Sequence, residues 1–146
     1  HAIGAGNLIA EIQQTSDITY RIYDYIRRDA QGNQRQLHTE EAREAIDYRV
    51  SDNYVSSYDH NAAHASLVDC DFFTVNLLKP DGKLDVDMPA GSFLSLTVVG
   101  GAATLTADDA TIDIRQGETI LVPAETKHVA LDGNATILTA SIPSEK

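Results

Sequence analysis

The stretch Phe93-Leu-Ser-Leu-Thr-Val-Val-Gly-Gly-Ala-Ala-Thr-Leu-Thr106 decides the fold. On both sides of Gly100-Gly101, apolar and hydroxyl-bearing residues alternate with the period of two that sends successive side chains to opposite faces of a strand. Val and Thr, branched at Cβ, favour a pleated surface over a helix. Strands are therefore expected over 93–99 and 102–106, separated at the glycine pair.

The same reading extends in both directions. Upstream it predicts strands over 71–78 and 83–88, and downstream over 111–114, 119–122, 128–131 and 135–142. Between them lie Pro80-Asp-Gly82, Pro89-Ala-Gly91, Asp108-Asp109, Gln116-Gly117, residues 123–127 and Asp132-Gly-Asn134, all rich in turn-forming residues. About eight short strands at regular spacing predict a mainly β jelly roll or barrel.

The first third of the chain reads differently. Residues 1–13 alternate through Leu8, Ala10 and Ile12 against Glu11 and Gln13, which suggests a strand. Residues 14–17 then read as a turn, and 19–25 as a second strand with Thr19, Arg21 and Tyr23 on one face. Residues 27–35, centred on Gly32-Asn33, should form an exposed loop. Thr39 can cap one short helix over 40–46, because Glu40 and Glu41 suit the positive end of the helix dipole and Leu37, Ala42, Ala45 and Ile46 form an apolar stripe. Residues 47–66 carry no apolar period and should form a connector, with one short strand at Tyr54-Val55.

Composition narrows the classes of function. No apolar run in the 146 residues reaches the length a membrane helix needs, so no membrane partner is expected. The formal charge of -11 is uneven: residues 1–50 carry eight acids against six arginines, and residues 51–146 carry fourteen acids against five Lys/Arg. Such a surface repels nucleic acid, and a small anionic substrate would have to be met by individual arginines. The single Cys70 has no internal partner and no leader is visible, so a reducing cytoplasm is expected. The chain opens on His1 rather than Met, and an upstream segment is therefore expected.

The polar run over 11–24 crowds carboxylate, amide and hydroxyl groups around Arg21 on strand-like sequence, as a ligand cavity does. Together with His1-Ala-Ile-Gly-Ala-Gly6, Tyr20-Arg-Ile-Tyr-Asp-Tyr25 and Leu37-His-Thr-Glu40, it resembles the short bacterial form of type I mannose-6-phosphate isomerase, a zinc-dependent cupin enzyme. The resemblance is strong over 1–50 and weak beyond. In the second half, Gly117, Pro123 and His128 resemble the second cupin motif, although the glycine usual after the proline is Glu125 here. Residues 83–97 contain neither His nor Glu, so the first motif's metal ligands are missing.

The resemblance implies a C-terminal, metal-free cupin-type jelly roll over 67–146, a connector over 51–66, and, over 1–50, the last strands of a first, catalytic cupin with one short helix. It implies the C-terminal part of an isomerase interconverting mannose 6-phosphate and fructose 6-phosphate, zinc-dependent when intact and inactive as this fragment alone. The phosphorylated hexose would be the substrate, and a missing N-terminal cupin segment would supply the general base and further zinc ligands. By the same resemblance His1 is a zinc ligand and Arg21 is catalytic. That role suits the chemistry, because an enediolate needs a fixed cation and guanidinium stays charged. Glu11 and Gln13, on one strand face, would bind substrate hydroxyls or orient Arg21. The unfinished first cupin would leave apolar edges open, so self-association is expected. The competing reading is a non-catalytic sugar-binding or structural cupin. His60, His64 and Cys70 follow no known ligand spacing, and His38 and His128 read as structural.

Overall fold

The computed structural model describes residues 3–50, 52 and 55–143. The chain divides into two compact units, 1–52 and 53–146.

The second unit is an antiparallel β structure of seven strands: β1 His64–Asp69, β2 Thr74–Leu78, β3 Asp81–Val86, β4 Leu94–Ala107, β5 Ala110–Arg115, β6 Thr119–Val122 and β7 Val129–Ser141. Strands β4 and β7 pair along almost their whole lengths, from Ser95 opposite Ala140 to Ala107 opposite Val129. The other edge of β7 is shared, with β2 on residues 137–141 and β3 on residues 129–134. The other edge of β4 is shared in the same way between β6 and β5. Two half-sheets, β1-β2-β7-β4-β6 and β3-β7-β4-β5, thus run into one another through the two long strands. Both halves feed one core that contains Leu96, Leu105, Ile114, Val122, Leu131 and Ile137. A bent antiparallel sheet closed over a single core is the jelly-roll solution to burying a sheet face.

The expected interruptions at Gly100-Gly101 and Asp132-Gly-Asn134 do not end strands. Strand β4 runs through the first and β7 through the second, so four expected strands are two. The register slips between Val98 and Gly100, where one extra residue makes a bulge. Gly101 has φ +72°, and a Cβ there would lie 2.2 Å from the Asn134 carbonyl oxygen. Gly133, at φ +152°, would place a Cβ 2.6 Å from Ala103 Cα. These glycines let two backbones approach where the sheet bends. Strand β1 begins inside the connector expected to end at residue 66, because its largely exposed sequence carries little apolar signal and pairing with β2 creates the strand.

In the first unit the helix, α1, spans Thr39–Ala45, with His38 as its N-cap and no side-chain cap bond. Thr39 is thus the first helical residue, not the cap. The expected apolar stripe is only partly buried, with Ala42 enclosed and Leu37 and Ile46 exposed. No strand forms among described residues 3–50, so the strands expected over 1–13 and 19–25 are absent there, and a single bridge joins Arg28 to Gln34. A strand needs a neighbour to take up its backbone hydrogen bonds. Leu8 is 90% exposed and Ile18 66%, so the alternating pattern finds no surface to bury against. Of the expected strand at Tyr54-Val55, Tyr54 lies outside the described residues and Val55 is not in a strand.

Candidate functional site

Arg21 is held by residues 36–38. Its backbone N–H donates to His38 Nδ1 at 3.2 Å, a role open only to an unprotonated ring nitrogen. The His38 N–H returns a bond to the Arg21 carbonyl oxygen at 2.7 Å. Tyr20 and His38 place their rings 6.5 Å apart beside this reciprocal pair. The Arg21 guanidinium donates from Nη1 to the Gln36 carbonyl oxygen at 3.3 Å. Its remaining donors can take up an anion.

Asp24, close to Arg21 in sequence, is engaged by another arginine. Asp24 receives two bonds from the Arg35 guanidinium, one of them from Nε at 2.8 Å. Hydrogen bonding to Arg35 holds the Asp24 carboxyl below its ordinary value, and the charges of Arg35, Arg21 and Arg27 act in the same direction. The loop between these partners is built by Asp29, whose Oδ1 accepts the N–H groups of Gln31 and Asn33 at 2.9 and 2.8 Å. Those backbone bonds, the bond to Asn33 foremost, lower the Asp29 carboxyl as well. A cavity of about 230 Å³ lies against this loop, with Tyr23, Asp24, Arg27 and Arg35 among its walls. Arg27 stands 5.7 Å from the centre of the Tyr25 ring.

Glu11 and Gln13 are exposed, and neither they nor Arg21 lines any cavity described above. His1 lies outside the described residues. Among the described residues, no three His, Cys, Asp or Glu side chains converge as a metal site would require. A catalytic zinc needs three protein ligands. The described residues therefore do not compose a zinc site by themselves.

In the second unit His128 is exposed and the next residue, Val129, points into the core with 1% exposure. The His128 N–H donates to Asp108 Oδ1 at 2.9 Å, which closes the turn before β7. His64 opens β1, and Cys70 is exposed in the β1–β2 hairpin, where its N–H donates to the Phe73 carbonyl oxygen at 3.1 Å.

A second cavity, of about 360 Å³, opens at one end of the jelly roll. Asn76 and Thr74 of β2, and Thr139 and Ser141 of β7, contribute to its wall. Sequence reading missed this site because the facing of β2 and β7 depends on a register that only the folded sheet fixes. A signal was present in the alternation of Ala135, Ile137, Thr139 and Ser141, which turns polar along one face.

Comparison with known proteins adds to this geometry. The family described as mannose-6-phosphate isomerase, cupin domain, matches residues 63–142. A mannose-6-phosphate isomerase of Streptococcus mutans is 31% identical over 94% of this chain and 44% of its own length. The crystal structure of the mannose 6-phosphate isomerase from Bacillus subtilis superposes with a TM-score of 0.72 at 27% identity, over 86% of this chain and 40% of that one. An RmlC-like cupin with a double-stranded β-helix fold from Methanocaldococcus jannaschii shares the fold at 18% identity, with a TM-score of 0.52 over 64% of this chain and 94% of that one. The chain spans less than half the length of the curated isomerases it matches.

Proposed function

The chain belongs to the mannose-6-phosphate isomerase cupin-domain family, and from that premise we propose that it forms part of an enzyme interconverting mannose 6-phosphate and fructose 6-phosphate. The observation that carries this reading is the family match over more than half of the chain, joined to alignments with isomerases that extend through the first fifty residues. Aldose–ketose isomerisation moves a proton between C1 and C2 and passes through an enediolate. A positioned base lowers that barrier, and so does a fixed cation beside the developing oxyanion.

Arg21 is the cation assigned to that charge. Its backbone is clamped to His38, and among the described residues its guanidinium has donors beyond the Gln36 bond, in the planar fork that suits an oxyanion. Glu11 and Gln13 are assigned to substrate hydroxyls or to orienting Arg21. The zinc dependence rests in the same way on ligands outside the described residues, His1 among them. Taken alone, the chain is proposed to be inactive. The enzyme is placed in the cytoplasm, in keeping with a lone exposed cysteine.

The test is the kinetics of Arg21→Ala and Arg21→Lys in the chain complemented by the N-terminal half of a full-length relative. Loss of a fixed group that stabilises transition-state charge costs about a hundredfold or more in kcat. Lysine should restore little of it, because a point charge does not reproduce the guanidinium fork. An Arg21→Ala enzyme with wild-type kcat would remove Arg21 from catalysis.

A further inference from the structure

The cavity at the open end of the jelly roll carries chemistry that the isomerase reading does not use. Asn76 sits opposite Thr139 and Thr74 opposite Ser141, while the next pair inward is Leu78 opposite Ile137. Cross-strand partners project to the same face. The inward face therefore changes from core to a polar patch as it nears the opening. Thr139 is 2% exposed and Ser141 8%, so neither is a solvated rim residue. Burying a hydroxyl is costly unless it is hydrogen-bonded, and valine or alanine at these positions would extend the core.

The rest of the wall narrows the ligand. Val86, Met88 and Leu94 supply an apolar surface, which suits the C–H face of a sugar ring. His64, Asp85 and Asp87 also line the cavity, whereas no lysine or arginine does; Asp85 alternates in β3 with the inward Leu84 and Val86, and both aspartates are exposed. A phosphate would find no lysine or arginine in this wall, whereas sugar hydroxyls can exchange hydrogen bonds with its amide and hydroxyl groups. A volume of about 360 Å³ is within the range of small-molecule sites.

We propose that this cavity binds an uncharged hexose or polyol, held by Asn76, Thr139 and Ser141. Arg21 is not among the residues that line this cavity, so absence of isomerase activity would leave the proposal standing. The experiment is calorimetric titration of the full chain with free mannose and free fructose, repeated on Thr139→Val, Ser141→Ala and Asn76→Leu after circular dichroism confirms their folding. Free hexose should bind with millimolar affinity. Each folded variant should weaken binding about three- to tenfold, the effect of one hydrogen bond. Mannose 6-phosphate should fail to displace the free sugar. The proposal is overturned by wild-type protein that binds neither hexose, by folded variants that bind unchanged, or by mannose 6-phosphate competing more strongly than mannose. Thr139→Val preserves side-chain shape, so it decides the matter even if Asn76→Leu unfolds the barrel.

Discussion

A methyl group at Gly101 would sit 2.2 Å from the Asn134 carbonyl oxygen, and the three atoms nearest to it all belong to the backbone of residues 134–135 rather than to a side chain that could move aside. Gly117 offers the contrast, since it has φ +92° but nothing within 4 Å of a Cβ. Gly101→Ala should therefore cost about 2–4 kcal/mol through clash and left-handed strain together, and Gly117→Ala about 1–2 kcal/mol through strain alone. Urea denaturation of the two variants checks the ranking, and equal losses would deny that close approach matters at Gly101. In the sequence this glycine was legible as an interruption. Its spacing could not distinguish a turn from a bulge, because both need the same backbone freedom and only the partner strand separates them. Asp24 offers a second residue-level test. Its carboxyl is lowered in the folded chain by Arg35, so the pair's stabilisation is present above the ordinary carboxylate value of 3.8 and is lost as pH falls through the lowered value. Titration followed by NMR should show the Asp24 carboxyl signal moving at lower pH than in Arg35→Gln. Identical midpoints would deny the pairing.

Strands β4 and β7 are the elements on which the second unit depends, because every other strand except β1 pairs with one of them. Leu96 and Ile137, one on each, have 0% exposure. Leu96→Ala and Ile137→Ala should each cost about 2–5 kcal/mol. Val68→Ala on the outer strand β1 should cost less than about 1 kcal/mol, since Val68 is 39% exposed. Chemical denaturation tests this, and a loss at Val68 equal to that at Leu96 would contradict the hierarchy. The same burial explains what could be read in advance. Alternating apolar residues mark β4 and β7 because they face the core, whereas those of β2, Val75 and Leu77, are buried on the face opposite the core residue Leu78. Strand β1 was not legible because its residues bury little and owe their conformation to β2. The alternation over 1–13 and 19–25 was legible as a pattern but forms no strand in the described residues, since a period of two states a preference and not the presence of a partner. Arg21 could be singled out from its polar surroundings. Its clamp to His38 could not, because that contact joins segments seventeen residues apart.

At the scale of the molecule the two units differ in how much they bury. The second has the contiguous core, whereas in the first Ala42 is the one buried apolar residue among those described. Hydrophobic burial supplies most of the stability of a small domain. Backbone amides of β4 and β7 should therefore exchange slowly with deuterium while those of residues 3–37 exchange near the unprotected rate. Uniform protection across both would contradict this. Leu8, Ile18 and Ile26 are exposed in the first unit, and the chain alone should self-associate through such surface at micromolar concentration. Light scattering that reports a monomer would refute that expectation. The most direct measurement is the formation of fructose 6-phosphate from mannose 6-phosphate by this chain alone, by the N-terminal half of a full-length relative alone, and by the two combined, all supplied with zinc. Turnover that appears only in the combined sample is the predicted result. A combined sample that associates, holds zinc and still fails to turn over would contradict the assignment of this chain to the isomerase reaction.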